Sequence, residues 1–333
     1  MTQHQKTFAA TTCCFVTAVV WGFAFVGQVQ ALRHMGSLTF SGARFTIGLL
    51  SLLPVLFVLE RRRGAPGERK KTLLYGALAG AILFVASVLQ QYGIALTQSA
   101  GKAGFITGLY TVLVPLFSIA LGKKPTVLTG LGALSAFAGL YFLSMPNGLE
   151  PPQPGDIVLF AGAIFWTFHI MVVDNLASRV RPLRFSVVQF AMCAALSWAG
   201  VALVLFLCGK SPAVYAYLRE AEAVAAAAGV HAKMLENFTL QNLRDGMVPL
   251  LYCGVLSVGV AYTLQIVGQR RVEPSKAAII FSLETVFSAV GGYLFLREQL
   301  GWKGYLGGAL MFLGIVLSQV NPKKKSAALL SSA

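Results

Sequence analysis

The sequence predicts an all-α integral membrane protein with ten transmembrane helices, arranged as two inverted-topology repeats of five. Three observations lead there. The chain of 333 residues is 56% hydrophobic and only 12% charged, against roughly 25% charged residues in soluble domains. Its apolar residues fall into runs of about 20, the helical length that crosses ~30 Å of hydrocarbon. Finally, the two halves match each other at fixed offsets.

Taken in order, the runs lie at about 8 to 29, 36 to 59, 72 to 96, 103 to 121, 126 to 144, 156 to 175, 185 to 208, 246 to 268, 276 to 296 and 302 to 320. The first follows few charges and closes on no small-residue cleavage motif, so it reads as a retained span. Pro54, Pro115 and Pro249 lie inside runs, where neighbouring helices can satisfy the freed carbonyls. The 34 glycines favour close helix packing. Between the seventh and eighth runs lies an insertion, about 209 to 245. It opens with Ser211-Pro212, an N-cap followed by Pro at the first helical position. Val214, Tyr217, Leu218, Ala221, Val224 and Ala225 then recur at helical spacing, which predicts an external amphipathic helix. The sequence does not separate a surface-lying helix from one covering the bundle's outer mouth.

The formal charge of +15 could suggest nucleic acid, but the basic residues sit in short clusters between apolar runs. That is a topology signal. With the N-terminus cytoplasmic, eighteen Lys and Arg fall on its side, among them Arg61, Arg62, Arg63, Lys123, Lys124, Lys323, Lys324 and Lys325. Eight fall opposite, and Arg44 remains inside a span. Both termini are therefore expected in the cytoplasm, in a multi-pass protein with the lipid bilayer as its medium. Cys13, Cys14, Cys193, Cys208 and Cys253 lack CxxC spacing and read as small apolar side chains.

The repeat divides the chain into residues 1–145 and 146–333. A shift of 145 pairs Trp21 with Trp166, Phe40 with Phe185 and Phe45 with Phe190. Beyond the seventh run a shift of 175 pairs Gln90 with Gln265, Gly132 with Gly307 and Gly139 with Gly314. The difference measures the insertion. Five spans per copy, an odd number, bring the second copy in from the opposite face.

With these features in view the chain resembles the drug/metabolite transporter (DMT) superfamily, specifically bacterial EamA-type permeases. The resemblance runs through Val20-Trp21-Gly22-Phe23-Ala24-Phe25, Ala43-Arg44-Phe45, Ala103 to Pro115, Ser282-Leu283-Glu284-Thr285-Val286-Phe287 and Leu296-Arg297-Glu298-Gln299-Leu300. Thr285 departs from the Pro that members often carry after this Glu. Lys123-Lys124 stands where the first half often has a Glu like Glu298. The resemblance implies a secondary transporter, often an exporter of amino acids, metabolites or drugs, with a central cavity between the repeats.

The candidate residues follow from the cost of polarity in lipid. Glu284 lies mid-run, where an acid costs roughly 2.5 to 3.5 kcal/mol. It shares a face with Ala277, Phe281, Ser288 and Gly291, and reads as a proton- or cation-binding group or as a structural ion pair or hydrogen bond. Its mate at the 175 shift is Leu109, so the carboxylate belongs to one half only. Arg44 could hold a substrate carboxylate, pair with Glu284, or snorkel outward. Trp21, Trp166 and His169 suggest an aromatic floor with a titratable ring, though Trp also suits interfaces and His helix packing. Gln90, Gln265 and Tyr110, with Gln91 and Tyr92, must find partners, and interhelical hydrogen bonds would serve. Asp174 reads as a solvated cap. His4, His34, His169 and His231 are dispersed, and no acidic pair has metal-ligand spacing, so a lipid-modifying membrane enzyme stands well behind a transporter. An uncoupled facilitator of the same fold is the nearer alternative. The expected partner is a small-molecule substrate, with no nucleic acid, no metal and no cofactor beyond a coupled proton. Monomer and homodimer remain equally open.

Overall fold

In the computed structural model, residues 3–60, 66–122, 125–144, 153–227, 232–233, 235–236, 239–298 and 301–319 are described, and their regular structure is all helical. The helices are α1 (Gln3–Ala31), α2 (Ser37–Leu59), α3 (Pro66–Thr97), α4 (Ala100–Gly108), α5 (Tyr110–Ala120), α6 (Val127–Ser144), α7 (Pro154–Ala177), α8 (Pro182–Lys210), α9 (Pro212–Ala227) and α10 (Leu240–Asp245). After them come α11 (Met247–Leu251), a π-helical stretch Tyr252–Ala261, α12 (Tyr262–Gln269), α13 (Pro274–Phe281), α14 (Glu284–Gly291), a π turn Gly292–Leu296 and α15 (Trp302–Gln319). Every expected apolar run is helical. Among the described residues eight helical stretches are long and apolar enough to span a membrane, while Val127–Phe142 and Trp302–Ser318 are shorter. Arg61, Arg62, Arg63, Lys123, Lys124, Lys323, Lys324, Lys325 and His231 lie outside the described residues.

Burial is inverted relative to a soluble protein. Phe57, Val58, Leu74, Leu203, Phe206 and Ile119 are exposed on the outside, while Arg44, Gln90, Gln91, Gln265 and Glu284 are buried. Water as solvent would penalise the outer surface; hydrocarbon favours it and drives the polar groups inward.

Two runs expected as single helices are interrupted. The fourth passes from α4 to α5 through Leu109, where Leu109 N–H donates to Ile106 O and Val112 N–H to Leu109 O. The ninth passes from α13 to α14 through Ser282 and Leu283, where Leu283 N–H donates to Ile280 O and Thr285 N–H to Ser282 O. These bonds reach back three residues, so the helix tightens locally at both places. The breaks are repeat-equivalent, since Leu109 and Glu284 are 175 residues apart. Thr285 in place of Pro has not restored a continuous helix.

The same offset governs how α6 and α15 cross. A Cβ on Gly132 would lie 2.6 Å from Gly314 O, and one on Gly139 would lie 2.5 Å from Gly307 O. Adding 175 to one contact gives the other. Ser135 Oγ donates to Leu310 O, its own mate, at 2.8 Å. Reciprocal contacts of this kind arise when a local two-fold passes between two helices. Bare glycine backbone is required there because any side chain would meet a carbonyl.

In the insertion, Ser211 caps α9 as expected, accepting from Val214 N–H. Val214, Leu218 and Ala221 are half-buried, but Tyr217 is 71% exposed, so the packed stripe is narrower than the periodicity suggested. The side chains of Val224 and Ala225 lie outside the description. The segment beyond α9 docks on the bundle. Lys233 N–H donates to Leu32 O at 2.8 Å, and Ala232 is buried in the core beside α1 and α4. Glu222 of α9 anchors this strap through Lys233 Nζ at 3.2 Å and Leu235 N–H at 3.3 Å. The strap thus ties α9 to the end of α1.

Candidate functional site

Within the bundle lies a cavity of about 30 Å³ lined by residues of seven of the apolar runs. α1 supplies Trp21, Ala24, Phe25 and Gln28, the i, i+3, i+4, i+7 stripe of one helical face. α2 supplies Arg44, α3 Gln90, α4 Thr107, and α5 Tyr110. α7 adds Trp166 and Ile170, the eighth run Ser257 and Tyr262, and α14 Glu284. A volume of this size holds water rather than an organic solute, for which sites run to roughly 300–1,000 Å³.

Glu284 opens α14 at the helix break, 4% exposed. Tyr110, the second residue after Gly108 at the equivalent break, donates its hydroxyl to Glu284 Oε1 at 2.9 Å. A close approach of α1 sets this position. Any Cβ on Gly22 would collide with Phe287 Cβ and lie 2.7 Å from Glu284 O, so glycine lets the stripe of α1 reach the carboxylate. Thr285 Oγ1 donates to Gly104 O at 2.9 Å and ties α14 to α4.

Arg44 is buried at 3% exposure and does not snorkel. Its guanidinium lies 5.1 Å from both the Phe40 and Phe45 ring centroids, and Nη1 donates to Gln28 Oε1 at 3.1 Å. Nε and Nη2 have no protein partner. Among the described residues Arg44 forms no salt bridge with Glu284, although both line the cavity.

The aromatic residues meet across the repeat. Trp21 lies 6.2 Å from its mate Trp166, and Phe45 6.1 Å from its mate Phe190. Tyr262 joins them, 4.7 Å from Trp21 and stacked on Trp166 at 6.1 Å. Trp21 Nε1 donates to Ser257 O at 3.4 Å, whereas Trp166 Nε1 has no protein partner.

Six of the eight candidates from the sequence therefore share one cavity: Glu284, Arg44, Trp21, Trp166, Tyr110 and Gln90. Gln90 also donates to Thr107 Oγ1 at 3.2 Å. His169 and Gln265 are buried outside its lining. His169 contacts Gln189 Oε1 at 3.3 Å and stands edge-on to Trp166 and Tyr262. It is one position off the 166/170 stripe, about 60° round the helix from Trp166. Gln265 has no protein partner for its amide atoms. Sequence reasoning missed Gln28, Thr107, Ser257 and Tyr262. Gln28 carried a usable signal, a polar residue inside an apolar run.

The two ends of the bundle differ. At the end bearing the insertion, Glu236 of the strap accepts from Leu38 N–H at 3.0 Å and from Thr39 N–H and Oγ1 at 2.8 Å each, at the start of α2. Tyr92 of α3 adds a contact at 3.4 Å. Glu298 similarly accepts from Ala100 and Gly101 N–H at the start of α4. Burial pushes the Glu298 carboxyl up from its ordinary value, and these amide bonds partly oppose that. At the opposite end a cavity of about 480 Å³ is lined by Ser118, Asp174, Gln269, Arg270, Arg271 and Glu273, among others.

The model of the EamA-like transporter family matches this sequence twice, over residues 9–145 and 153–319. An uncharacterized transporter of Archaeoglobus fulgidus is 26% identical over 303 residues, covering 91% of this chain and 83% of its own length. The uncharacterized transporters YoaV and YcxC of Bacillus subtilis are each 22% identical. YoaV covers 90% of this chain and 93% of its own length; YcxC covers 98% and 97%. A crystal structure of a protein with 18% identity superposes with a TM-score of 0.68, covering 93% of this chain and 96% of that one, a likeness of fold.

Proposed function

The chain belongs to the EamA-like transporter family, and on that premise we propose a secondary transporter that exports a small organic solute, such as an amino acid, metabolite or drug, by alternating access. Glu284 couples proton entry to solute exit. The observation that carries this reading is the Tyr110–Glu284 hydrogen bond, made where two equivalent helix interruptions face one cavity. Interrupted helices meeting at mid-membrane are the usual setting for substrate and ion sites in carriers built from inverted repeats. An ionised Glu284 accepts from Tyr110. A protonated one can itself donate, so proton binding alters the tie between α5 and α14.

Each half, residues 1–145 and 146–333, forms one moving unit. The protein sits in a bacterial inner membrane with both termini cytoplasmic, a reading supported by eighteen basic residues on that side against eight. The larger cavity then opens to the cytoplasm, and the strap covers the outer mouth.

Proteoliposomes test the coupling. Efflux is expected to slow when the pH gradient is collapsed, and Glu284→Gln and Tyr110→Phe are expected to lose gradient dependence. Transport indifferent to both the gradient and Glu284→Gln would remove the coupling role. A facilitator without coupling is the second reading, favoured by the same Tyr110–Glu284 bond if it acts only as a tie between helices. Solute counterflow that needs no gradient and survives Glu284→Gln selects it.

A further inference from the structure

The donors and acceptors around the central cavity are unbalanced. Arg44 Nε and Nη2 and Trp166 Nε1 are buried donors without protein partners, on residues that line the cavity. On the acceptor side Glu284 is already engaged by Tyr110, and Gln28 Oε1 by Arg44 Nη1. The guanidinium is held rather than mobile, with Phe40 and Phe45 at its faces and Gln28 at one edge. Two adjacent N–H groups of a fixed guanidinium form a fork whose geometry matches a planar oxyanion. A buried cation with no ion-pair partner among the described residues is costly, so the retention of Arg44 here calls for an anion at some stage of the cycle.

We infer that the cargo carries a carboxylate, which the Arg44 fork holds while the solute's apolar or aromatic body lies against Trp21, Trp166 and Tyr262. This rests on the transporter reading and narrows its substrate class. Glu284 lines the same cavity, and in its ionised form it would repel the solute's carboxylate towards Arg44. Tyr262 lines the cavity with both groups and packs on both tryptophans, so an aromatic surface adjoins the two polar groups.

The test uses the full chain in lipid nanodiscs and equilibrium binding read by intrinsic fluorescence, since two of its four tryptophans line the cavity. The probes are matched sets: 3-phenylpropionate against 3-phenylpropionamide, L-phenylalanine against its amide, and aliphatic and hydroxy acids against theirs. Acids are expected to give saturable changes, with the amides about 10-fold to 100-fold weaker, the range for losing a charge-assisted pair. Arg44→Lys keeps the charge but loses the fork and is expected to weaken acid binding and narrow the preference, whereas Arg44→Gln is expected to abolish it. If these variants fail to fold, Gln28→Glu serves instead: it sets a carboxylate against the guanidinium and should compete internally, removing acid binding while preserving the fold. Amides binding as well as acids, Gln28→Glu retaining acid binding, or no acid in the panel giving a saturable response each overturns the inference. Binding that follows Arg44 without any solute flux would instead sink the transporter reading.

Discussion

Replacing Glu236 with Ala removes the strap's hold on the start of α2. The carboxylate is 3% exposed and accepts three short bonds, from Leu38 N–H, Thr39 N–H and Thr39 Oγ1. Bonds to a charged group contribute about 1.5–3 kcal/mol each but are not additive, and the favourable charge at a helix N-terminus overlaps with them. A local cost of about 3 kcal/mol follows, since the freed amides regain water once the strap lifts. That corresponds to on the order of 100-fold in the opening equilibrium. Hydrogen exchange with mass spectrometry on the nanodisc-embedded protein reads it directly: peptides containing Leu38 and Thr39 should exchange on the order of 100-fold faster in Glu236→Ala, while peptides of α6 and α15 stay unchanged. Glu236→Gln keeps one acceptor oxygen and should fall between. Protection at Leu38 and Thr39 unchanged in the Ala variant would refute the reasoning, because the bonds would then contribute nothing to closure.

Three further outcomes are expected. Glu298 is held above its ordinary carboxylate value by burial, so the folded state binds its proton more tightly than the unfolded chain; stability relative to Glu298→Gln should be greatest below the ordinary value and decline as pH rises through and above it, as read by thermal unfolding at a series of pH values. Gly139→Val would drive a side chain into Gly307 O and should cost about 1–3 kcal/mol or separate α6 from α15, seen as a lowered unfolding temperature. Arg297 adopts a left-handed backbone at φ 61°, and its repeat mate Gly122 does the same at φ 78°; Arg297→Gly should therefore relieve strain and raise stability by about 1 kcal/mol, and a loss of stability would show that the Arg297 side chain matters more than its backbone.

The sequence was most informative where lipid makes polarity expensive. Glu284 and Arg44 stood out because an apolar run offers a charge so little, and both line the cavity. The repeat offsets were legible through rare residues, Trp and Gln, rather than through Leu or Ala. Other features had no local signal. Nothing in Ser282-Leu283 marks a helix break, and the close approaches of Gly22 and Gly104 fall just beyond it, on Glu284 to Ser288. Tyr262 reads as one more aromatic in an apolar run, and only the surrounding helices make it the centre of the wall. Glu236 looks like an ordinary loop acid; its partners lie almost 200 residues away along the chain, at Leu38 and Thr39. His169 and Gln265 were singled out by residue type, but both are buried outside the cavity's lining.

The strap also bears on energetics beyond closure. A molecule made of two equivalent halves, exchanging roles as it rocks, would have inward-facing and outward-facing forms of equal free energy. Among the described residues the contacts of Glu236 have no counterpart in the first half. Under the proposed alternating-access cycle they would lift that degeneracy and weight the resting population towards the form in which the strap is docked. The final solute ratio across the membrane is untouched, because a carrier's preference between its own states cancels over a full cycle. What would change under that cycle is kinetic: apparent affinities and turnover would differ between the two faces, so forward and reverse exchange would saturate at different concentrations.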